Sequence, residues 1–364
     1  MPSFCSVLSV AIAVALTATL FAESEPPRTA QAAKLEAQPP DSPERMELTR
    51  VQIFLDNANF RPGKIDGLGG EFTQKAANLY CIANQLPPGS RIDVSSIVDP
   101  YREYVATEED MAYIGPQASS PAAQEKLKAM LYQDLWELVA EKFHCDQKFL
   151  RDLNPSLTDA TAKPGAAFRV PNVKPFEIAE VYALEKEKRA EQKRLAAEAK
   201  ARAEMTPTAD AFGSPVPTPP PSPTPAPTPH TRTLALSRAE RLIQVREFDR
   251  VIACFPCTPG SADTPVPQGT WRITSNVLLP YFRWDKSVLE RGVRSDNAFN
   301  LPPGPNNPVG IVWMGINRPS VGMHGTPGPD RIGRNASHGC IRLANWDAIV
   351  LSGLVTKGTP VVVE

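Results

Sequence analysis

The sequence predicts a multidomain chain with a mainly-β domain at its C-terminus, preceded by a small helical domain and a small α+β domain. Three observations predict it. Prolines number 39 in 364 residues and concentrate in linkers, above all in residues 206–230, where they alternate with Thr, Ser and Ala. One compact domain would not ordinarily use so many. Upstream of that stretch apolar residues recur at helical spacing in two separate segments; downstream they fall into short runs broken by turn residues.

At the N-terminus, Val7 to Ala22 form an apolar run that is short for a membrane span and stops before Glu23-Ser24-Glu25. It reads as a secretory signal over residues 1–22, which would place the body of the protein in the periplasm or cell wall. The run lacks a preceding Lys or Arg, so an uncleaved anchor is the alternative, and only then would the chain meet a membrane. Residues 23–43 are expected to be disordered. Export permits disulfides. Cys5 would leave with the signal, and the remaining Cys81, Cys145, Cys254, Cys257 and Cys340 are odd in number, which suits one reactive thiol beside paired ones. Cys254 and Cys257 are either a local disulfide or two packing thiols, and Cys81 and Cys145 are candidates for a bridge between small domains. Lys and Arg total 39 against 40 Asp and Glu, a net charge of −1, so nothing favours nucleic acid or another polyanion.

Residues 44–88 form the first expected domain. Leu48, Val51, Phe54 and Leu55 share a helical face, Pro62-Gly63-Lys64-Ile65-Asp66-Gly67 makes a turn, and Phe72, Ala76 and Leu79 begin a second face. The arrangement resembles the small peptidoglycan-binding domains attached to wall enzymes; a generic helical hairpin is the alternative. Residues 111–173 carry Leu135-Trp136-Glu137-Leu138-Val139-Ala140, then Phe149 to Pro155 ending in Leu-Asn-Pro, a Pro164-Gly165 turn and Phe168-Arg169-Val170-Pro171. That order resembles the LysM module, which binds N-acetylglucosamine-containing glycan, with Trp136 expected in its core rather than on sugar. Residues 174–205, rich in Glu, Lys, Arg and Ala, read as a solvated helical spacer. The Pro/Thr-rich linker 206–230 reaches on the order of 70 Å in extended polyproline geometry, so the last domain is expected to be tethered rather than docked.

Within residues 231–364, Leu234 and Leu236, then Leu242, Ile243 and Val245, then Val251, Ile252 and Phe255 mark a β-meander. Gly269 to Ile273, Val309 to Met314 and Val361 to Val363 supply further strands. Asn345 to Leu351 read as one helix with Asn345 as its N-cap.

The chemistry concentrates in two segments, His324-Gly325-Thr326 and Ser337-His338-Gly339-Cys340-Ile341-Arg342-Leu343. Two of only four histidines flank one cysteine. A thiol becomes a useful nucleophile as thiolate, and a nearby imidazole changes its chemistry; the glycines after each histidine suit a crowded site. A buried packing cysteine and a zinc site from His324, His338 and Cys340 are the alternatives, the latter without an obvious fourth ligand. The two segments, with Pro267-Gln268-Gly269-Thr270 and Pro303 to Pro308 before them in order, resemble the YkuD-type L,D-transpeptidases, cysteine enzymes of bacterial peptidoglycan. The resemblance covers the whole C-terminal domain. It implies Cys340 as nucleophile, His324 as base oriented by the Gly325 carbonyl, and His338 and Gly339 lining an oxyanion hole with the Cys340 amide. Ser337, Arg342 and Gly325 would contact substrate, with Arg342 holding the loop or a stem-peptide carboxylate. No cofactor and no metal is implied. The expected reaction is release of D-alanine from a tetrapeptide stem through a thioester, then transfer of the acyl group to an amine. An L,D-carboxypeptidase at the same site, or a non-catalytic wall protein binding stem peptides and glycan, are the alternatives.

Overall fold

The computed structural model describes residues 30–205, 231–260, 264–334 and 339–364. The expected signal and the Pro/Thr-rich linker lie outside the described residues. Residues 30–43, expected to be disordered, instead begin with helix α1 (Ala30–Glu36), in which Leu35 is buried. Their order comes from distant partners: Arg169 pairs with Asp41 at 2.6 Å, and the Tyr101 hydroxyl donates to the Pro40 carbonyl at 3.0 Å.

The first domain is the expected helical pair, α2 (Pro43–Asn57) and α3 (Glu71–Ala83). The Ile-Asp-Gly turn between them closes on Gln52, whose side-chain oxygen accepts from the Asp66 and Gly67 amides at 3.1 and 2.8 Å. The second domain starts earlier than residue 111. Strand β1 (Tyr101–Val105) pairs antiparallel with β2 (Ala167–Pro171) and brackets α4 (Pro121–Gln124), α5 (Leu135–Lys142) and α6 (Gln147–Leu153). Asp134 and Asp146 cap α5 and α6 by accepting from the Glu137 and Phe149 amides, each at 2.9 Å. Trp136 is buried edge-on against Phe168, as a core residue. The Leu-Asn-Pro asparagine, Asn154, exchanges hydrogen bonds with the Arg169 backbone at 2.8 and 2.7 Å and so ties α6 to β2. Helix α7 (Ile178–Met205) departs from the spacer expectation only at its start. There Ile178 and Val181 are buried and Tyr182 packs on Tyr113, whereas Lys186 to Arg202 are exposed.

The C-terminal domain opens with the expected meander, β3 (Arg232–Ser237), β4 (Leu242–Glu247) and β5 (Arg250–Pro256). There follow β6 (Thr258–Pro259), β7 (Gly269–Leu278), β8 (Phe282–Asp285), α8 (Lys286–Arg291) and β9 (Ala298–Leu301). The chain finishes with β10 (Val312–Ile316), β11 (Gly322–His324), β12 (Ile341–Arg342), α9 (Asn345–Leu354) and β13 (Pro360–Val363). Nine strands make one sheet in the order β5-β4-β3-β13-β7-β10-β11-β12-β6, and β8 pairs with β9 apart from it. Pairing is antiparallel except β13 with β3 and β11 with β12. Helix α9 turns Trp346, Ala348 and Leu351 into the core. Its N-cap is Ala344, not Asn345, whose side chain is engaged elsewhere.

The tethered arrangement is overturned. One apolar core runs without interruption from Ile53 through Trp136 and Val139 to Trp346 and Val363, and a smaller one joins Leu55, Phe60 and Cys81 to Cys254. Backbone pairs cross the same boundary. Arg61 N donates to Cys254 O at 2.9 Å, Met130 N to Pro303 O at 2.9 Å, and Asn306 N to Met130 O at 2.9 Å. His144 stacks on Trp346 with centroids 5.4 Å apart, and Arg241 pairs with Glu71 at 2.5 Å. None of this is periodic in the sequence, since the partners lie more than a hundred positions apart. Cys81, Cys145, Cys254 and Cys257 are all buried thiols: Cys254 and Cys257 are packing residues, the second of the two alternatives, Cys81 and Cys145 are not bridged, and burial raises the pKa of the last three.

Candidate active site

Strands β11 and β12 lie side by side and parallel, with Met323 opposite Ile341 and His324 opposite Arg342. Opposed residues in a sheet share a face and the face alternates along each strand. Met323 and Ile341 therefore point to one side, where both are fully buried. His324 and Arg342 point to the other, as does Gly322, and Cys340, directly before β12, has its thiol at the Gly322 backbone. The Leu343 amide extends the ladder by donating to His324 O at 2.8 Å. A separation of sixteen positions in sequence is thus closed by adjacent strands. Gly322 keeps this face open: a Cβ there would land 2.7 Å from the Trp313 ring and 2.9 Å from the Met314 carbonyl.

His324 is buried, and its Nδ1 lies 2.7 Å from the Gly325 carbonyl oxygen. A carbonyl can only accept, so Nδ1 carries the proton and Nε2 holds the lone pair. Trp313, opposite His324 across β10 and β11, stacks on the imidazole at 5.6 Å. Burial pushes the His324 pKa down to about 4; the Gly325 carbonyl opposes this and the Arg342 charge adds to it. Cys340 is half-buried, with Sγ 3.5 Å from the Ser320 carbonyl oxygen. Burial raises its thiol, against which the Gly322 backbone and the Arg342 charge act. Both groups are consequently neutral at pH 7. Such a pair can pass the thiol proton to a neutral imidazole as the sulfur attacks.

Behind His324, two loops meet on one side chain. A Cβ on Gly325 or on Gly310 would sit 2.1 Å from Asn345 Oδ1, and Gly310 also adopts φ +59°, so both positions require glycine. Asn345 Oδ1 accepts from the Ile311 amide at 3.3 Å. Its Nδ2 donates to the Pro305 carbonyl at 3.1 Å and to both Glu141 carboxyl oxygens at 3.1 and 3.2 Å. Between His324 and Cys340, residues 330–333 run past the first domain, where Lys64 pairs with Asp330 and the ring of Phe72 lies against Gly333; Arg241, between β3 and β4, donates to the Gly333 carbonyl at 2.7 Å. Gly339, with φ +92°, precedes the nucleophile candidate directly.

Of the residues expected at the site, His324, Gly325, Arg342, Gly339 and Cys340 lie together. Ser337 and His338 lie outside the described residues. Sequence reasoning missed Trp313 as the wall of the imidazole, Ser320 and Gly322 beside the thiol, and Asn345 as the clasp behind Gly325. Gly322 was the most readable of these, being two positions before His324 on what proves to be the same strand face.

The C-terminal segment is similar to known proteins. Residues 231–363 match the model of the YkuD family, the L,D-transpeptidase catalytic domain. YkuD of Bacillus licheniformis, which carries the L,D-transpeptidase name, is 29% identical over 128 residues, 35% of this chain and 62% of its own. Its namesake in Bacillus subtilis is 27% identical over 131 residues, 36% of this chain and 65% of its own. The chain therefore spans less than two thirds of the length of these relatives. Among solved structures, an L,D-transpeptidase from Mycobacterium smegmatis aligns over 37% of this chain and 58% of its own, at 20% identity and a TM-score of 0.30. Residues 231–363 are a YkuD-type L,D-transpeptidase catalytic domain, docked against an N-terminal half that lies outside the matched segment.

Proposed function

We propose that the protein is an exported L,D-transpeptidase that remodels peptidoglycan through a cysteine thioester. The observation that carries this reading is the pairing of His324 on β11 with Arg342 on β12, with Cys340 directly before β12 and the His324 lone pair left on Nε2 by the Gly325 carbonyl. In the first step Cys340 Sγ attacks the carbonyl of the third residue of a tetrapeptide stem, and His324 Nε2 takes the thiol proton. The C–N bond to D-alanine breaks, the leaving amine receives that proton from His324, and a thioester remains. In the second step an acceptor amine attacks the thioester, His324 accepts its proton, and the Cys340 thiol is regenerated. In this reading the backbone amides of Gly339 and Cys340 stabilise the tetrahedral oxyanion. The Arg342 cation, felt by both reacting groups, favours a stem carboxylate nearby.

The N-terminal modules hold the enzyme on the polymer in this reading, and the apolar run at Val7 to Ala22 directs the chain out of the cytoplasm. Full-length protein incubated with a purified tetrapeptide stem should release D-alanine and show a transient mass increase on the peptide containing Cys340. Cys340→Ala should abolish both without moving the melting temperature. D-alanine release by Cys340→Ala at the wild-type rate would remove Cys340 as nucleophile. Release without amine transfer would assign a carboxypeptidase.

A further inference from the structure

The second N-terminal module reaches into the catalytic domain with a carboxylate. Glu141, near the end of α5, is buried, and within hydrogen-bonding distance it meets Tyr132 and Asn345. The Tyr132 hydroxyl donates to it at 2.7 Å. Asn345 uses its amide hydrogens on Glu141 and on the Pro305 carbonyl, which fixes its oxygen toward Ile311 and against Gly310 and Gly325. The Gly325 carbonyl is the acceptor that sets the His324 tautomer. Asn345 also lies five positions after Cys340, so the same clasp holds the segment that follows the nucleophile.

Among the described residues no cation lies against the Glu141 carboxyl: its hydrogen-bond partners are a hydroxyl and an amide, and burial pushes its pKa up to about 8. A buried carboxyl with no counter-ion is a poor device for stability, because apolar side chains of the same volume serve as well or better. Its geometric effect is different, since without it one Asn345 hydrogen loses its acceptor and the side chain is free to turn away from Gly325.

We propose that Glu141 is a positioning residue for the acyl-transfer centre, acting from the N-terminal half through Asn345 on the Gly325 carbonyl that holds His324 in its Nδ1–H form. The proposal rests on the L,D-transpeptidase reading, and the docked N-terminal half is then part of the catalytic unit as well as a wall anchor.

The test uses the full chain with Glu141→Leu, which keeps volume but removes the acceptor, and Glu141→Gln, which keeps an acceptor oxygen for Asn345. Glu141→Leu should lower kcat for D-alanine release by about 10–100-fold with KM little changed, the usual cost of a small misplacement of a reacting group. Its melting temperature should stay level or rise. Glu141→Gln should remain within about threefold of wild type. Nitrogen-15 NMR of the His324 ring should show Nδ1–H in wild type and Glu141→Gln and a tautomer mixture in Glu141→Leu. Glu141→Met is read by the same criteria should Glu141→Leu fail to fold. Wild-type kcat and an unchanged His324 tautomer in the apolar variant would overturn the proposal, as would a loss of activity matched by an equal loss in Glu141→Gln. Absence of D-alanine release from wild type would instead sink the transpeptidase reading, and the NMR comparison would still decide whether Glu141 sets the tautomer.

Discussion

Alkylation of Cys340 by iodoacetamide should rise about tenfold per pH unit from pH 6 to pH 8, about a hundredfold in all, with no plateau near neutrality. The expectation follows from two neutral partners. Moving the imidazole from its ordinary 6.5 down to about 4 penalises its cation by about 3 kcal/mol, so at pH 7 only about one molecule in a thousand carries His324 protonated. Too little imidazolium exists to hold a thiolate as an ion pair, and burial raises the Cys340 thiol rather than lowering it. Thiolate then forms only as bulk pH approaches the thiol's own range. The assay is mass spectrometry of the Cys340 peptide after timed alkylation, with Cys340→Ser as the blank. His324→Ala should leave that slope unchanged while slowing D-alanine release by about 10²–10⁴-fold, because the imidazole moves a proton during attack instead of charging the thiol beforehand. A rate that levels off below about pH 7.5, or a slope that His324→Ala steepens, would refute the neutral pair.

Gly325→Ala should lower stability by about 1–3 kcal/mol in urea melts and impair catalysis, since its Cβ would land 2.1 Å from Asn345 Oδ1; a wild-type melting point would show that the clasp is slack. The isolated segment 231–364 should bind a hydrophobic dye and melt far below the full chain, because docking buries Trp346 and Cys254 against the N-terminal half; equal melting temperatures would contradict a shared core. The stability advantage of wild type over His324→Gln should shrink as pH falls from 6.5 to 4. Over that window the unfolded imidazole takes up a proton that the folded one refuses, which costs folding up to about 3 kcal/mol. A difference that stays flat across the window would mean that His324 is not held neutral.

The catalytic domain was the most legible part of the chain, because its meander alternates apolar residues with period two and its turns carry the expected residue types. The pairing of Cys340 with His324 was legible as a motif but not as geometry: sequence shows a separation of sixteen positions, whereas the register of β11 against β12 is a tertiary fact. Asn345 illustrates the opposite failure. Its place before an apolar helical run made it look like an N-cap, yet a helix can be capped by the backbone of Ala344 while Asn345 serves three other segments. Glu141 gave no signal, because a glutamate on an amphipathic helix ordinarily faces water, and only docking turns it inward. The Thr/Pro stretch implies separation by composition alone, but composition describes how far a segment can reach and not where its ends are held.

The two halves share a core although only residues 206–230 join them covalently. Those 25 residues therefore raise the local concentration of one surface near the other rather than keeping the halves apart. A protease cut within that segment would leave both pieces bound to each other, running as a single species in native chromatography and as two bands under denaturing conditions. Nicking and inactivation would then be separate events, and the chain becomes a natural starting point for a two-fragment reporter whose signal depends on reassembly of the site.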